Sequence, residues 1–269
     1  MAAVRAVCIL IALTLVTLAL IPLQWVAMKT GWSLQRKLPL LWHKAASRLI
    51  GIRVRQHGKM AEQRPLLVAA NHCSWLDIVV IGCTAPLSFI AKSEVAGWPI
   101  LGMFARLQRT VFVNRQRRSD TGRVAKAIAS RMVQGDAMIL FAEGTSSNGN
   151  EVLPFRSALV GAVHHAMSFD EDAAAYVQPL SIAYTRLQGM PMGRSWRSHV
   201  AWYGDMELAG HLWCVLKEGG LDVDLTWGEA VPIEKTTNRK RLTRDLEDQV
   251  RTMTIEALQG NLPKENALV

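Results

Sequence analysis

From residue 62 onward, short unbroken apolar runs alternate with longer amphipathic ones, and that alternation constrains the fold most. Residues 66–70, 87–91, 110–114, 138–141, 176–183, 199–203 and 221–227 read as strands. Residues 75–83, 99–107, 121–134, 157–168, 208–217 and 236–258 read as helices. Strands that are apolar throughout belong to a sheet covered on both faces. Strand alternating with helix makes the fold class α/β. The expectation is a mixed, largely buried sheet flanked by helices, preceded by an N-terminal membrane-associated helical segment. Residues 1–58 are expected to form a membrane anchor and a basic interfacial helix. Residues 59–260 form the body, and residues 261–269 a loose tail.

The anchor rests on Ala6 to Met28, which holds no charged residue over 23 positions. That length can cross a hydrocarbon core of ~30 Å as a helix. Pro22 and Gln24 weaken its second half, so both a full span and a shallow insertion are open. A cleaved signal peptide is the competing reading, and Trp25-Val-Ala27 makes a poor cleavage site for it. Next, Leu34, Leu38, Leu41, Trp42, Ala45 and Leu49 recur near helical spacing among basic residues. This reads as an interfacial helix on an anionic membrane surface. A plain amphipathic core helix is the alternative.

The net charge of +9 invites a nucleic-acid reading, and its location excludes one. Of 31 basic and 22 acidic side chains, nine basic and no acidic ones lie in residues 1–61. The remainder is balanced at 22 against 22. The whole excess adjoins the hydrophobic segment, which places that side in the cytoplasm. Four scattered cysteines, Cys8, Cys73, Cys83 and Cys214, give neither metal-ligand spacing nor a disulfide framework.

The first strand of the body runs into Asn71-His-Cys-Ser-Trp-Leu-Asp77. A neutral histidine beside a carboxylate can pull a proton from a hydroxyl. No serine-nucleophile or zinc motif accompanies it, so the substrate's own hydroxyl becomes the attacking group. Ser74-Trp-Leu-Asp77 also fits a capping box, with Ser74 as N-cap. The two readings are compatible when His72 precedes the helix and Asp77 sits in its first turn. Cys73 as a nucleophile paired with His72 is disfavoured, because adjacent side chains rarely point at each other.

Three further polar clusters fall at strand ends, where such folds place function. They are Phe112-Val-Asn-Arg115, Phe141-Ala-Glu-Gly-Thr145 and Val177-Gln-Pro-Leu-Ser-Ile182. Each alone has a dull explanation: a solvated charge run, a strand-exit turn, an edge-strand proline.

In order, the clusters resemble the blocks of the glycerolipid acyltransferase family, of the lysophosphatidic acid acyltransferase type. His72 to Asp77 resembles the H-x4-D block, Phe112 to Arg115 the F-V-x-R block, and Phe141 to Thr145 the F-P-E-G-T-R block. Leu153-Pro-Phe-Arg156 is similar to the family's P-F-K segment. The resemblance covers about residues 60 to 185. It implies acyl transfer from acyl carrier protein or acyl-CoA to a lipid hydroxyl, with no cofactor beyond that co-substrate and no metal. It makes His72 the general base and Asp77 the group that orients it. It assigns substrate binding to Arg115, Glu143, Gly144, Thr145 and Arg156. The implied partners are a membrane lipid acceptor, acyl carrier protein and the anionic surface of the bacterial cytoplasmic membrane.

Two departures matter. Ala142 replaces the family's proline, and Ser146 stands where an arginine is usual. Guanidinium pairs with phosphate in a two-pronged fashion, so its loss weakens the case for a phosphorylated acceptor. The stretch from Glu143 to Leu159 resembles the branch that acylates lyso-ornithine lipid, which carries no phosphorus. Lysophosphatidic acid, held by Arg115 and Arg156, is the alternative acceptor. A hydrolase that activates water at the same pair, and a catalytically silent membrane protein, remain as readings from other classes.

Overall fold

The structure is a computed structural model and describes residues 1–113, 121–157, 175–233, 236–262 and 267–268. Two helices come first, α1 (Ala2–Thr30) and α2 (Leu34–Ile50). The body continues through β1 (Ile52–His57), β2 (Leu66–Ala70), α3 (Leu76–Gly82), β3 (Leu87–Lys92), α4 (Pro99–Leu107), β4 (Val111–Val113), α5 (Thr121–Val133), β5 (Ala137–Phe141) and β6 (Ala175–Leu187). After the short β7 (Met190–Pro191) come the helices Arg194–Val200 and Leu208–Glu218, then β8 (Leu221–Trp227) and β9 (Val231–Ile233). The helix Arg239–Gln259 and β10 (Ala267–Leu268) close the chain.

Among the described residues the sheet order is β10-β1-β8-β6-β2-β5-β3-β4, with β7 and β9 also on β6. It is mixed: β2 runs parallel to both neighbours, β5 and β6, whereas β6 and β8 are antiparallel. The five residues of β2 are fully buried, as its unbroken apolar run predicts. One face packs against α1, α2, α3 and the helix Leu208–Glu218. The other face packs against α5 and the helix Arg239–Gln259. Each large side chain so buried contributes about 1.5–3 kcal/mol. Where α2 crosses α3, a Cβ at Gly82 would overlap the His43 ring, so glycine is required there.

Several elements differ from expectation. Residues 199–203 do not form a strand. His199 and Val200 end the helix Arg194–Val200, and Trp202 directs its N–H to the Cys73 carbonyl at 2.7 Å instead of a ladder partner. Residues 52–57, placed with the anchor, form β1, parallel to β8. The alternation Ile52-Arg-Val54-Arg was the available signal, with Ile52 and Val54 buried and Arg53 exposed. In the expected tail, residues 267–268 pair antiparallel with β1. The expected helix at 157–168 lies outside the described residues beyond Ser157, as does Asn114, the last residue of the expected strand 110–114.

Helix α1 is long and apolar enough to cross a membrane, and only 11% of its most apolar stretch is buried. That exposure excludes an ordinary core helix. Val4, Val7, Ile11, Leu15, Leu18 and Leu23 face outward, while Ala6, Ile9, Gln24 and Ala27 face the body. Both ends are tied down. The Arg5 guanidinium donates to the Leu216 and Ile50 carbonyls. The Gln24 amide donates to the carbonyls of Gln35 at 3.0 Å and Leu107 at 2.7 Å. Between them, Trp42 Nε1 of α2 donates to Thr17 Oγ1 at 2.8 Å. The inward stripe of α2 is Leu38, His43, Ala46, Ser47 and Ile50, while Leu41 faces out.

Candidate active site

The carboxyl end of β2 creates the site. Beyond Ala70, the Asn71 side chain takes over the ladder: its Oδ1 accepts from Ile182 N at 2.8 Å and its Nδ2 donates to Ile182 O at 3.0 Å. The backbone can then leave the sheet with its neighbours satisfied. His72 follows in the turn, and α3 begins four residues later at Leu76. Asp77 lies in the first turn of α3, and its carboxylate folds back toward the imidazole.

Asp77 has no exposed surface, and its carboxylate is surrounded by donors. Oδ2 accepts from His72 Nδ1 at 2.7 Å, Cys73 N at 2.8 Å and Ser74 N at 3.0 Å. Oδ1 accepts from the Tyr184 hydroxyl at 2.8 Å. The expected capping box forms only in half: Asp77 accepts from Ser74 N, but the N-cap of α3 is Trp75, and Asp77 N donates to the Ser74 carbonyl and not to its hydroxyl. Every lone pair of a buried charge needs such a partner. Burial and the adjacent Asp77 push the Tyr184 phenol well up, so it stays a donor.

With Nδ1 committed to Asp77, His72 is held as the tautomer whose Nε2 carries the lone pair. The ring stacks on Phe141, with centroids 4.0 Å apart and planes 18° apart. Its side chain keeps 19% of its surface, against none for Asp77, so it is the solvent-facing member of the pair. The neighbouring nucleophile candidates point elsewhere. Cys73 is buried, and desolvation, then the charges of Asp77 and Glu143, push its thiol well above the ordinary range. Ser74 Oγ is also buried and accepts from Leu76 N at 3.4 Å. Ser147 Oγ accepts from Gly149 N at 3.3 Å. Nothing here supports a covalent protein intermediate.

The strand beside β2 brings the third cluster alongside. Ala142 N donates to Ala70 O at 3.0 Å, so the ends of β2 and β5 stay side by side. Glu143 is 1% exposed, and its Oε1 accepts from His72 N at 3.0 Å. Burial raises its pKa to about 8, opposed by the N–H groups of His72 and Leu153 and reinforced by Asp77. Gly144 adopts φ 76°, a turn that favours glycine, and Ser147 N then donates to His72 O at 2.8 Å. Arg156 N donates to Ala142 O at 2.8 Å, which returns the 153–156 segment to the same strand end. Thr145 and the Arg156 side chain are exposed. Thus His72, Glu143, Gly144, Thr145 and Arg156, in the loops that follow β2 and β5, and Asp77, in the first turn of α3, belong to one end of the sheet. Arg115 lies outside the described residues.

Reading the sequence missed Tyr184, the clamp of Asn71 on Ile182, and Trp202 on Cys73. All three are contacts between segments far apart in the chain. No local spacing announces them.

An α/β sheet carries a histidine–carboxylate pair at a strand end with no nucleophile paired to it among the described residues, an arrangement suited to general-base chemistry on a bound hydroxyl. A profile of the acyltransferase family matches residues 51–183. A lyso-ornithine lipid O-acyltransferase of Brucella abortus (strain 2308) is 49% identical over 96% of each chain. One from Rhizobium meliloti (strain 1021) is 43% identical over 92% of this chain and 85% of its own. A 1-acyl-sn-glycerol-3-phosphate acyltransferase of Neisseria gonorrhoeae is 30% identical over 77% and 76%. The crystal structure of the 1-acyl-sn-glycerophosphate (LPA) acyltransferase PlsC from Thermotoga maritima shares the fold, with a TM-score of 0.62, 21% identity and coverage of 96% and 98%. The chain belongs to the acyltransferase family. It is an acyl-transferring enzyme, and its apolar N-terminal helix makes it membrane-associated.

Proposed function

We propose that this enzyme moves an acyl group from a thioester to the free hydroxyl of a lyso-lipid, with lyso-ornithine lipid as the acceptor. The observation that carries the mechanism is the 2.7 Å bond from His72 Nδ1 to Asp77, with no nucleophilic side chain on Nε2 among the described residues. His72 Nε2 takes the acceptor's hydroxyl proton as that oxygen attacks the thioester carbonyl. The C–S bond then breaks, and the imidazolium returns its proton to the departing thiolate. Asp77 orients the ring and stabilises its charged form. Glu143 acts from beneath, holding the His72 backbone. Gly144, Thr145 and Arg156 bind the acceptor, and so, by the resemblance of its sequence block, does Arg115, which lies outside the described residues.

The acceptor assignment rests on the two relatives at 49% and 43% identity and on Ser146 in place of a phosphate-binding arginine. Lysophosphatidic acid is the second reading, favoured by the relative at 30% and by the exposed Arg156. The donor is acyl carrier protein or coenzyme A carrying the acyl thioester. The body sits on the cytoplasmic face of a bacterial inner membrane, consistent with the nine basic residues and no acidic ones in residues 1–61. Purified full-length enzyme, given each acceptor with acyl carrier protein and coenzyme A thioesters in turn, tests this. Conversion of lyso-ornithine lipid in preference to lysophosphatidic acid is expected. Thioester hydrolysis without any acylated acceptor would replace the transferase reading with a hydrolase.

A further inference from the structure

We propose that residues 98–103, at the start of α4, form a second membrane-contacting element that seats the mouth of the His72 site on the bilayer. The inference rests on the membrane association of α1 and extends it to a surface beside the chemistry.

Trp98, Ile100 and Met103 are 41%, 65% and 38% exposed. Residues 97–100 are four consecutive exposed positions, two of them large and apolar. Clustered exposure of this kind beside an active site marks an interaction surface. The opposite side of α4 is docked. Phe104 packs on Trp42 of α2, with ring centroids 5.6 Å apart, and Leu107 O accepts from Gln24 of α1 at 2.7 Å. The exposed side therefore continues from the helix pair that carries the outward apolar stripe. At its other end, Trp98 meets Trp202 edge to face at 6.2 Å, and Trp202 N is bonded to Cys73 O beside His72. One chain of contacts runs from α1, through α4 and the two tryptophans, to the catalytic turn.

The occupant we assign is a lipid bilayer. A water-soluble partner is disfavoured by the continuity with α1, whose outward residues are almost wholly apolar. Tryptophan suits the interfacial layer, where its ring is apolar and its N–H is polar. Lys92 and Arg106, both exposed, flank the segment against Glu94 alone, which suits anionic headgroups. Seated in this way, an acceptor reaches His72 from the bilayer surface without entering water.

The test uses the full chain with Cys8→Ser and Cys214→Ser, carrying an environment-sensitive fluorophore on Ile100→Cys. Vesicles are mixed phosphatidylglycerol and phosphatidylethanolamine containing spin-labelled lipid. On binding, the probe's emission should shift to the blue and be quenched by the spin label. In parallel, Ile100→Glu with Met103→Glu should lower turnover of a vesicle-embedded acceptor at least tenfold. Turnover of a short-chain acceptor dissolved as monomers should stay within twofold of wild type. A probe that keeps its aqueous spectrum while the protein co-sediments with vesicles overturns the proposal, whether or not the double variant folds. Failure of the chain to co-sediment at all overturns the membrane reading itself, and the proposal with it.

Discussion

Tyr184 donates its hydroxyl hydrogen bond to Asp77 Oδ1 at 2.8 Å, across 107 residues of chain. The phenol is buried, and the other oxygen of the same carboxylate holds His72. Asp77 is thereby fixed from two sides, by its own turn and by β6. Tyr184→Phe keeps the ring and removes the donor. A hydrogen bond to a charged group contributes about 1.5–3 kcal/mol, and leaving its acceptor unsatisfied lowers turnover by roughly tenfold or more. The loss is expected in kcat with little change in KM, because Tyr184 touches no substrate. Steady-state kinetics within twofold of wild type would remove Tyr184 from the account.

Glu143 makes a prediction about pH. Its folded pKa is raised to about 8 from an ordinary 4.5, chiefly by burial. A group raised on folding contributes stability that is complete below its unfolded pKa and is lost as pH rises through the folded one. Wild-type stability is therefore expected to decline between about pH 4.5 and 8, by on the order of a few kcal/mol. Glu143→Gln retains an acceptor for His72 N–H and carries no charge. Its melting temperature should lose this dependence and exceed that of wild type at pH 8. Parallel curves for the two proteins across that range would show that Glu143 does not titrate as described.

Ser146 makes a prediction about the acceptor. Ser146→Arg places a guanidinium in the loop that bonds His72 O through Ser147 N. A well-aligned contact with phosphate contributes about 1.5–3 kcal/mol and gives nothing to an acceptor without phosphate. The ratio of kcat/KM for lysophosphatidic acid over lyso-ornithine lipid should rise roughly tenfold. If wild type already acylates lysophosphatidic acid well and lyso-ornithine lipid negligibly, the acceptor assignment is wrong.

Much of this architecture is legible in the sequence because its causes are local. The bounds of Leu66–Ala70 are legible to the residue because an unbroken apolar run of that length suits a buried strand, and those of Leu221–Trp227 because Leu221, Val223, Leu225 and Trp227 recur at every second position. The pairing of His72 with Asp77 was legible because a helix start with an acid in its first turn can bring residues five apart together. The strand β1 was overlooked because its basic residues read as part of the interfacial segment, although Ile52 and Val54 alternate. Residues 199–203 misled because β-branched and aromatic side chains also suit a buried helix end and the extended turn after it. Tyr184 and Trp202 were not legible at all. The role of Tyr184 depends on β6 lying beside β2, and that of Trp202 on where the segment after the helix Arg194–Val200 meets the turn at Cys73; both are properties of the assembled fold.

The most direct test of the central claim is acyl transfer by purified His72→Ala, measured against wild type in the same vesicles with acceptor and thioester both saturating. The account predicts no transfer above the uncatalysed background. In the same assay Asp77→Asn should fall by orders of magnitude while remaining bound to the vesicles, since it removes the carboxylate that orients the base and leaves the outward apolar face of α1 unchanged. Turnover by His72→Ala within tenfold of wild type would contradict the general-base mechanism outright.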